Sequence, residues 1–279
     1  MKSLQLGTRL IARPVARWTA VGLLALMLSA GAMPARAFDA AVQHTLAPSG
    51  ALRVGLYRGS PSSIIEGATP QDAKGLAYDV GKHMAAELGV KFDPVIFPSN
   101  GPLLKALKAG EVDVVFTNAT ASRAKDMDFS QTFMAIEKSY LVPAGSPLKT
   151  QDDVHRAGVK VGVSKGSSTL KELAKLFPAM TLVPVDTLKA AGDMLAEHKI
   201  DAFATNNAIL SQISDRLPGS SILPGHWGME HFGAAIPKGR QAGMPFLRDF
   251  VAKAKADGTI DKAIKRADLR GTVPDTGKD

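Results

Sequence analysis

From Leu52 onward, short apolar runs alternate with stretches of helical periodicity. Runs rich in β-branched and aromatic residues predict strands over 52–57, 92–97, 112–116, 159–163, 181–185, 201–204 and 232–236. Between them Leu76, Val80, Met84 and Leu88 recur at a spacing of four, a single apolar stripe, and Leu103, Leu104 and Leu107 begin another. Further helical patterns cover 169–177, 187–197 and 246–256. Strands that alternate with helices predict an α/β fold with largely parallel sheets.

The same order of motifs occurs twice. Val54-Gly55-Leu56-Tyr57-Arg58-Gly59-Ser60 is echoed by Val161-Gly162-Val163-Ser164-Lys165-Gly166-Ser167. Val112-Asp113-Val114-Val115-Phe116-Thr117-Asn118 is echoed by Ile200-Asp201-Ala202-Phe203-Ala204-Thr205-Asn206. Two copies are too few for a solenoid, so the pattern predicts two similar α/β lobes.

Each echoed motif is an apolar strand that runs into small, polar or cationic residues. Ligands of open parallel sheets sit beyond the carboxyl ends of strands. Tyr57, Arg58, Asn118, Thr120 and Arg123 therefore mark one wall of an expected cleft, and Lys165, Ser167, Ser168 and Asn206 mark the other. Arg123 offers planar, bidentate pairing to a carboxylate; its bland alternative is a salt bridge to Asp126 or Asp128. The loop 165–168 feeds a helix whose Thr169 and Glu172 fit a capping box, and free N–H groups at such an end suit an anion. Tyr57 is either an aromatic shelf for a ligand or a half-buried sheet residue. Trp227, beside His226, is expected to pack in a turn.

Composition narrows the function. The chain has 279 residues and no Cys, which removes disulfides, thiolate metal sites and a cysteine nucleophile. Its net charge of +8 comes largely from residues 1–37, which hold Lys2, Arg9, Arg13, Arg17 and Arg36 and no acid. The remaining body is only weakly basic and gives no reason to expect nucleic-acid binding. In that first segment, a basic stretch precedes the apolar run 18–33 and then Ala35-Arg36-Ala37, the order of a cleavable export signal. The apolar run is shorter than the ~20 residues needed to span a bilayer. The expected mature chain starts at Phe38, outside the cytoplasm.

Enzyme motifs are thin. Ser168-Thr169-Leu170-Lys171 matches S-x-x-K but lacks its S-D-N and K-T-G companions. His226, Glu230 and His231 do not fit a metal-ligand spacing. Neither metal nor cofactor is expected, and the chain reads as a binding protein.

Taken together, Leu52-Arg53-Val54-Gly55, Gly75-Leu76-Ala77-Tyr78-Asp79-Val80, 104–116, 123–130, 161–168, 201–206 and Lys255-Ala256-Asp257-Gly258-Thr259 resemble the extracellular solute-binding proteins of family 3. These are the amino-acid-binding receptors of ABC importers. The resemblance implies a type II periplasmic-binding fold of two lobes joined by a two-strand hinge. It implies a first lobe over 38–132 and 232–279 and a second over 133–231. It places Asn118, Thr120 and Arg123 on the ligand's carboxylate and amino group, Ser168 on the second-lobe hydroxyl donor, and Asn206 where an aspartate holds the ammonium. It also implies periplasmic residence, hinge closure on a small molecule, a monomer, and permease subunits as partners.

Three departures stand out: the segment between the strand and Arg123 is about two residues shorter than is usual in the family, Asn206 lacks the carboxylate's charge, and Ser99-Asn100-Gly101 replace a common aromatic. Arg58, Arg123 and Lys165 would then face a cleft without an acidic counterweight, which points to a small organic anion or an atypical amino-acid derivative. The competing readings are a periplasmic dehydratase on the same fold, with Glu66 as its candidate acid, and a scaffold for a periplasmic oxidoreductase or sensor.

Overall fold

The repeated motifs fold into two α/β lobes built on one plan. The structure is a computed structural model that describes residues 40–67, 72–273 and 275; the expected export signal over 1–37 and the start at Phe38 lie outside these residues.

In chain order the first elements are α1 (Ala40–Leu46), β1 (Ala51–Tyr57), α2 (Leu76–Leu88), β2 (Lys91–Phe97), α3 (Asn100–Lys108) and β3 (Val115–Asn118). A long strand, β4 (Met127–Val142), leads to α4 (Gln151–Val154), β5 (Lys160–Ser164), α5 (Ser168–Leu176), β6 (Thr181–Val185) and α6 (Leu188–Ala196). Then come β7 (Ala202–Asn206), α7 (Asn207–Ser214), β8 (Ser221–Ile222), β9 (Gly228–Pro237), α8 (Met244–Ala256), α9 (Thr259–Arg266) and β10 (Thr272–Val273).

β2 and β1 pair in parallel, and β1 meets β3 through a Val54–Val114 bridge in which Gly55 N–H donates to the Val114 carbonyl at 2.9 Å. β3 then pairs antiparallel with β9. The other half repeats the order: β6, β5 and β7 are parallel neighbours, and β7 pairs antiparallel with β4. β4 and β9 run side by side, antiparallel, and carry the chain between the halves. The expected lobe boundaries at 132/133 and 231/232 fall inside these two strands.

The echoed residues do the same work in each half. The Asp113 carboxylate accepts from the Arg53 backbone N–H at 2.9 Å, and that of Asp201 accepts from Lys160 N–H at 2.8 Å. Gly55 and Gly162 leave room for a crossing side chain: an added Cβ would lie 2.3 Å from Leu103 Cδ1 in one and 2.5 Å from Ile200 Cδ1 in the other. Asp113 is fully buried and is also gripped by the side chains of Arg53 and Arg240, each at 2.6 Å.

Burial separates the cores. Leu52, Val54 and Leu56 of β1 share one with the α2 stripe and with Phe232, Ile236, Leu247, Phe250 and Ile260 from the end of the chain. All four stripe residues of α2 are completely buried, about 1.5–3 kcal/mol each against exposure. Tyr140, Val161, Val163, Leu173 and Ala204 form a second core, extended by Leu195, Phe203 and Ile209.

Candidate functional site

The carboxyl ends of β1, β3, β5 and β7 converge on one cavity. Its lining includes Tyr57, Asn100, Asn118 and Arg123 on one side, and Ser164, Ser167, Ser168, Thr187 and Asn206 on the other. Glu230 and Phe232 of β9 close the back, and Phe116, Leu188 and Ile209 add apolar surface. The cavity volume is about 40 Å³, a few times what one water molecule requires.

Arg123 stands in a single 3-10 turn after β3 and is 9% exposed. One guanidinium nitrogen donates to Thr117 Oγ1 and to the Asn118 carbonyl, both at 2.9 Å. Neither Asp126 nor Asp128 engages it, for Asp126 pairs with Lys108 at 2.7 Å and Asp128 with Lys238. Among the described residues Arg123 has no ion-pair partner. Burial pushes its pKa down, and the negative charge of Glu230 pushes it back up.

Glu230 supplies the acid that the sequence reading lacked. It is 8% exposed, lines the cavity and accepts from Asn206 Nδ2 at 2.7 Å. Burial raises its pKa; Lys138, the Asn206 hydrogen bond and Arg123 pull it down, and Glu172 adds to the rise. Arg123 and Glu230 thus feel each other's charge without forming an ion pair. The expectation of a cleft without an acidic counterweight is corrected.

The Asn206 side chain is occupied within the fold. Its Oδ1 caps α7 by accepting from Ile209 N–H at 3.1 Å while its Nδ2 holds Glu230. Asn118 is its counterpart at the end of β3. The Asn118 Oδ1 accepts from His231 N–H at 2.9 Å, and its Nδ2 donates across the cleft to Ser168 Oγ at 3.2 Å. Lys171 Nζ makes a second bond of this kind to Ser122 Oγ at 3.1 Å, so the two lobes are drawn together.

The α5 end departs from the expected capping box. Its N-cap is Ser167, whose Oγ accepts from Leu170 N–H at 3.2 Å, and Ser168 is the first helical residue. Glu172 turns instead to Lys138, a 2%-exposed residue of β4 whose ammonium also lies 4.6 Å from the Trp227 ring centroid. Trp227 packs on Tyr140, as expected of a turn residue. Tyr57 is half-buried and lines the cavity, so it is both sheet residue and wall.

Three expected wall residues stand elsewhere. Arg58 points outward and pairs with Glu66, which also takes Glu66 away from the cavity. Lys165 is 71% exposed and pairs with Asp186 at 3.3 Å. Both long side chains follow residues of their strands past the rim into solvent, where their charge is cheapest to keep. The Thr120 hydroxyl accepts from Arg123 N–H at 3.2 Å, so it shapes the turn that aims the arginine and lines a neighbouring groove.

Several lining residues are not among the site candidates of the sequence: Thr187 and the apolar Phe116, Leu188, Ile209 and Phe232, besides Asn100 and Glu230. Nothing in the sequence around Glu230 marks it as facing the cavity, whereas Asn100 stands in the segment that replaces an aromatic, the one available signal.

Among the described residues no helix is long and apolar enough to cross a membrane. The family described as bacterial extracellular solute-binding proteins, family 3, matches residues 52–267. The glutamine-binding protein of an ABC transporter from Bacillus subtilis (strain 168) is 28% identical over 210 residues, 74% of each chain. Among solved structures, an ancestral arginine-binding protein bound to glutamine superposes with a TM-score of 0.70 at 27% identity, over 80% of this chain and 98% of that one. A solute receptor for L-cysteine of Neisseria gonorrhoeae gives a TM-score of 0.73 at 22% identity, over 83% and 94%.

Proposed function

The chain belongs to the bacterial extracellular solute-binding proteins of family 3, and from that premise we propose that it captures a free α-amino acid for an ABC importer. The observation that carries this reading is the pair of buried, opposite charges, Arg123 and Glu230, lining one cavity without touching. A zwitterion answers both at once: its carboxylate meets the guanidinium in a charge-assisted pair, and its ammonium meets the carboxylate. An organic anion would satisfy Arg123 and leave Glu230 repelling it, so the cavity favours the amino acid. The relatives named for glutamine binding support the same class.

Capture proceeds by closure about β4 and β9. Ligand adds bonds to both walls beyond Asn118–Ser168 and Lys171–Ser122, and membrane permease subunits read the closed shape. Residues 1–37 direct export, and the mature protein works in the periplasm as a monomer. Isothermal titration calorimetry with the common L-amino acids tests the reading. Arg123→Ala and Glu230→Gln should each weaken the best ligand at least 100-fold, as loss of one partner of a buried charge pair does. Succinate binding more tightly than every amino acid would overturn it.

A further inference from the structure

We propose that Asn100 selects the ligand's side chain, and that the preferred ligand is an amino acid with a neutral side chain ending in an N–H or O–H donor. This deepens the reading of the cavity as an amino-acid site and rests on it.

The first support is an orphan atom. Asn100 Oδ1 is buried with no hydrogen-bond partner, and among the described residues Asn100 is the one residue of the cavity lining that carries such an atom. Four hydroxyls of the lining are already engaged. Ser167 Oγ takes Leu170 N–H, Thr187 Oγ1 takes Ala190 N–H, Thr117 Oγ1 takes Arg123, and Ser168 Oγ takes Asn118. A buried carbonyl left without a donor costs free energy, so a ligand that supplies one gains over an apolar ligand of the same shape.

The second support is where Asn100 stands. It opens α3 at the seam between the lobes: a Cβ on the next residue, Gly101, would lie 3.1 Å from the Lys165 carbonyl and 4.0 Å from Gly166 Cα. The loop before α5 therefore closes over this corner. Asn100 thus lines the cavity at a corner where the lobes meet, and on the proposed reading a ligand side chain leaving the Arg123–Glu230 end would arrive there.

The third support is charge. Among the described residues, Arg123 and Glu230 are the only ionisable groups in the lining besides Tyr57, and on the proposed reading both are taken by the ligand's own carboxylate and ammonium. A cationic or anionic side chain would enter a small cavity with no counter-charge left for it. Neutrality follows.

Calorimetry on the whole exported protein with L-glutamine, L-asparagine, L-serine and L-threonine, against L-methionine, L-leucine, L-norvaline, L-arginine, L-glutamate and succinate, tests the proposal. At least one donor-bearing ligand should bind about 10- to 100-fold tighter than its apolar counterpart of similar size. Asn100→Leu should shrink or invert that ratio while the apolar ligand binds no worse, which also shows that the variant folds. Equal binding of donor and apolar ligands, a charged amino acid as the best ligand, or an unchanged ratio in Asn100→Leu would overturn the role of Asn100 and leave the amino-acid reading intact. Succinate alone binding would remove the amino-acid reading itself.

Discussion

Glu230 and Arg123 each hold a charge that burial disfavours, and in each case the other group offsets part of that penalty. The pH dependence follows from the sign. With its pKa raised, Glu230 keeps a proton to higher pH than an ordinary carboxyl in the free protein. A ligand ammonium favours the ionised form, so binding should release a proton. Affinity should fall as pH drops through the raised value, approaching tenfold per pH unit below it. The groups facing Glu230 act in known directions: Lys138, Asn206 and Arg123 favour ionisation, and Glu172 opposes it. Calorimetry in buffers of different ionisation heat measures the released proton, and Glu230→Gln should abolish both it and the pH slope. Linkage also acts on folding: a carboxyl with a raised folded pKa stabilises the fold below its unfolded pKa and loses that contribution as pH rises through the folded one. Glu230 therefore contributes no such stability above its raised folded pKa.

At the scale of elements, close approach decides both stability and closure. Gly55 in β1 has Leu103 Cδ1, Val115 Cγ1 and Val112 Cγ2 at 2.3, 3.0 and 3.1 Å from where a Cβ would stand. Gly55→Ala should destabilise by about 1–3 kcal/mol, read as a lower thermal midpoint with or without ligand. Gly101 lies instead where α3 meets the loop before α5. Under the proposed closure, Gly101→Val should leave the unliganded midpoint nearly unchanged, because α3 and the loop before α5 would part in the open form. Its affinity should fall about tenfold, because closure must then displace the Lys165 carbonyl.

How much of this was legible in the sequence follows the same scale. Strand-and-turn motifs are contiguous, so the echo exposed the paired plan, and α2 was readable to the residue from its stripe. β4 was not, since its Ser130, Glu137, Lys138 and Ser139 break any apolar alternation. Those polar residues find partners on other elements: Ser139 Oγ donates to the Leu223 carbonyl and Lys138 meets Glu172. Glu230 escaped for a related reason. Its place in the cavity depends on β9 lying beside β4 in the register that sets it against Ile136, a pairing no local pattern encodes.

For the whole molecule, the two lobes share β4 and β9, so any relative motion of the lobes must bend those strands. Their pairing slips between Phe129 and Thr132 and again between Thr132 and Met134, which puts the irregular backbone at the crossover between lobes. The rest of each lobe can then move as a body while the hydrogen-bonded strands stay paired, the arrangement a hinge requires.

Asp113 carries a consequence for the order in which the protein is made. Its carboxylate joins Arg53 near the beginning of the polypeptide to Arg240 near its end, and the surrounding core takes Phe232, Leu247 and Ile260 from that same tail. The β1 core must wait for residues far along the chain, whereas β5, β6 and β7 find their neighbours within a short stretch. Contacts so distant along the chain form slowly. Pulsed hydrogen exchange during refolding should therefore protect Val161–Val163 before Val54–Leu56, leaving the earlier-synthesised lobe loose until the final helices dock.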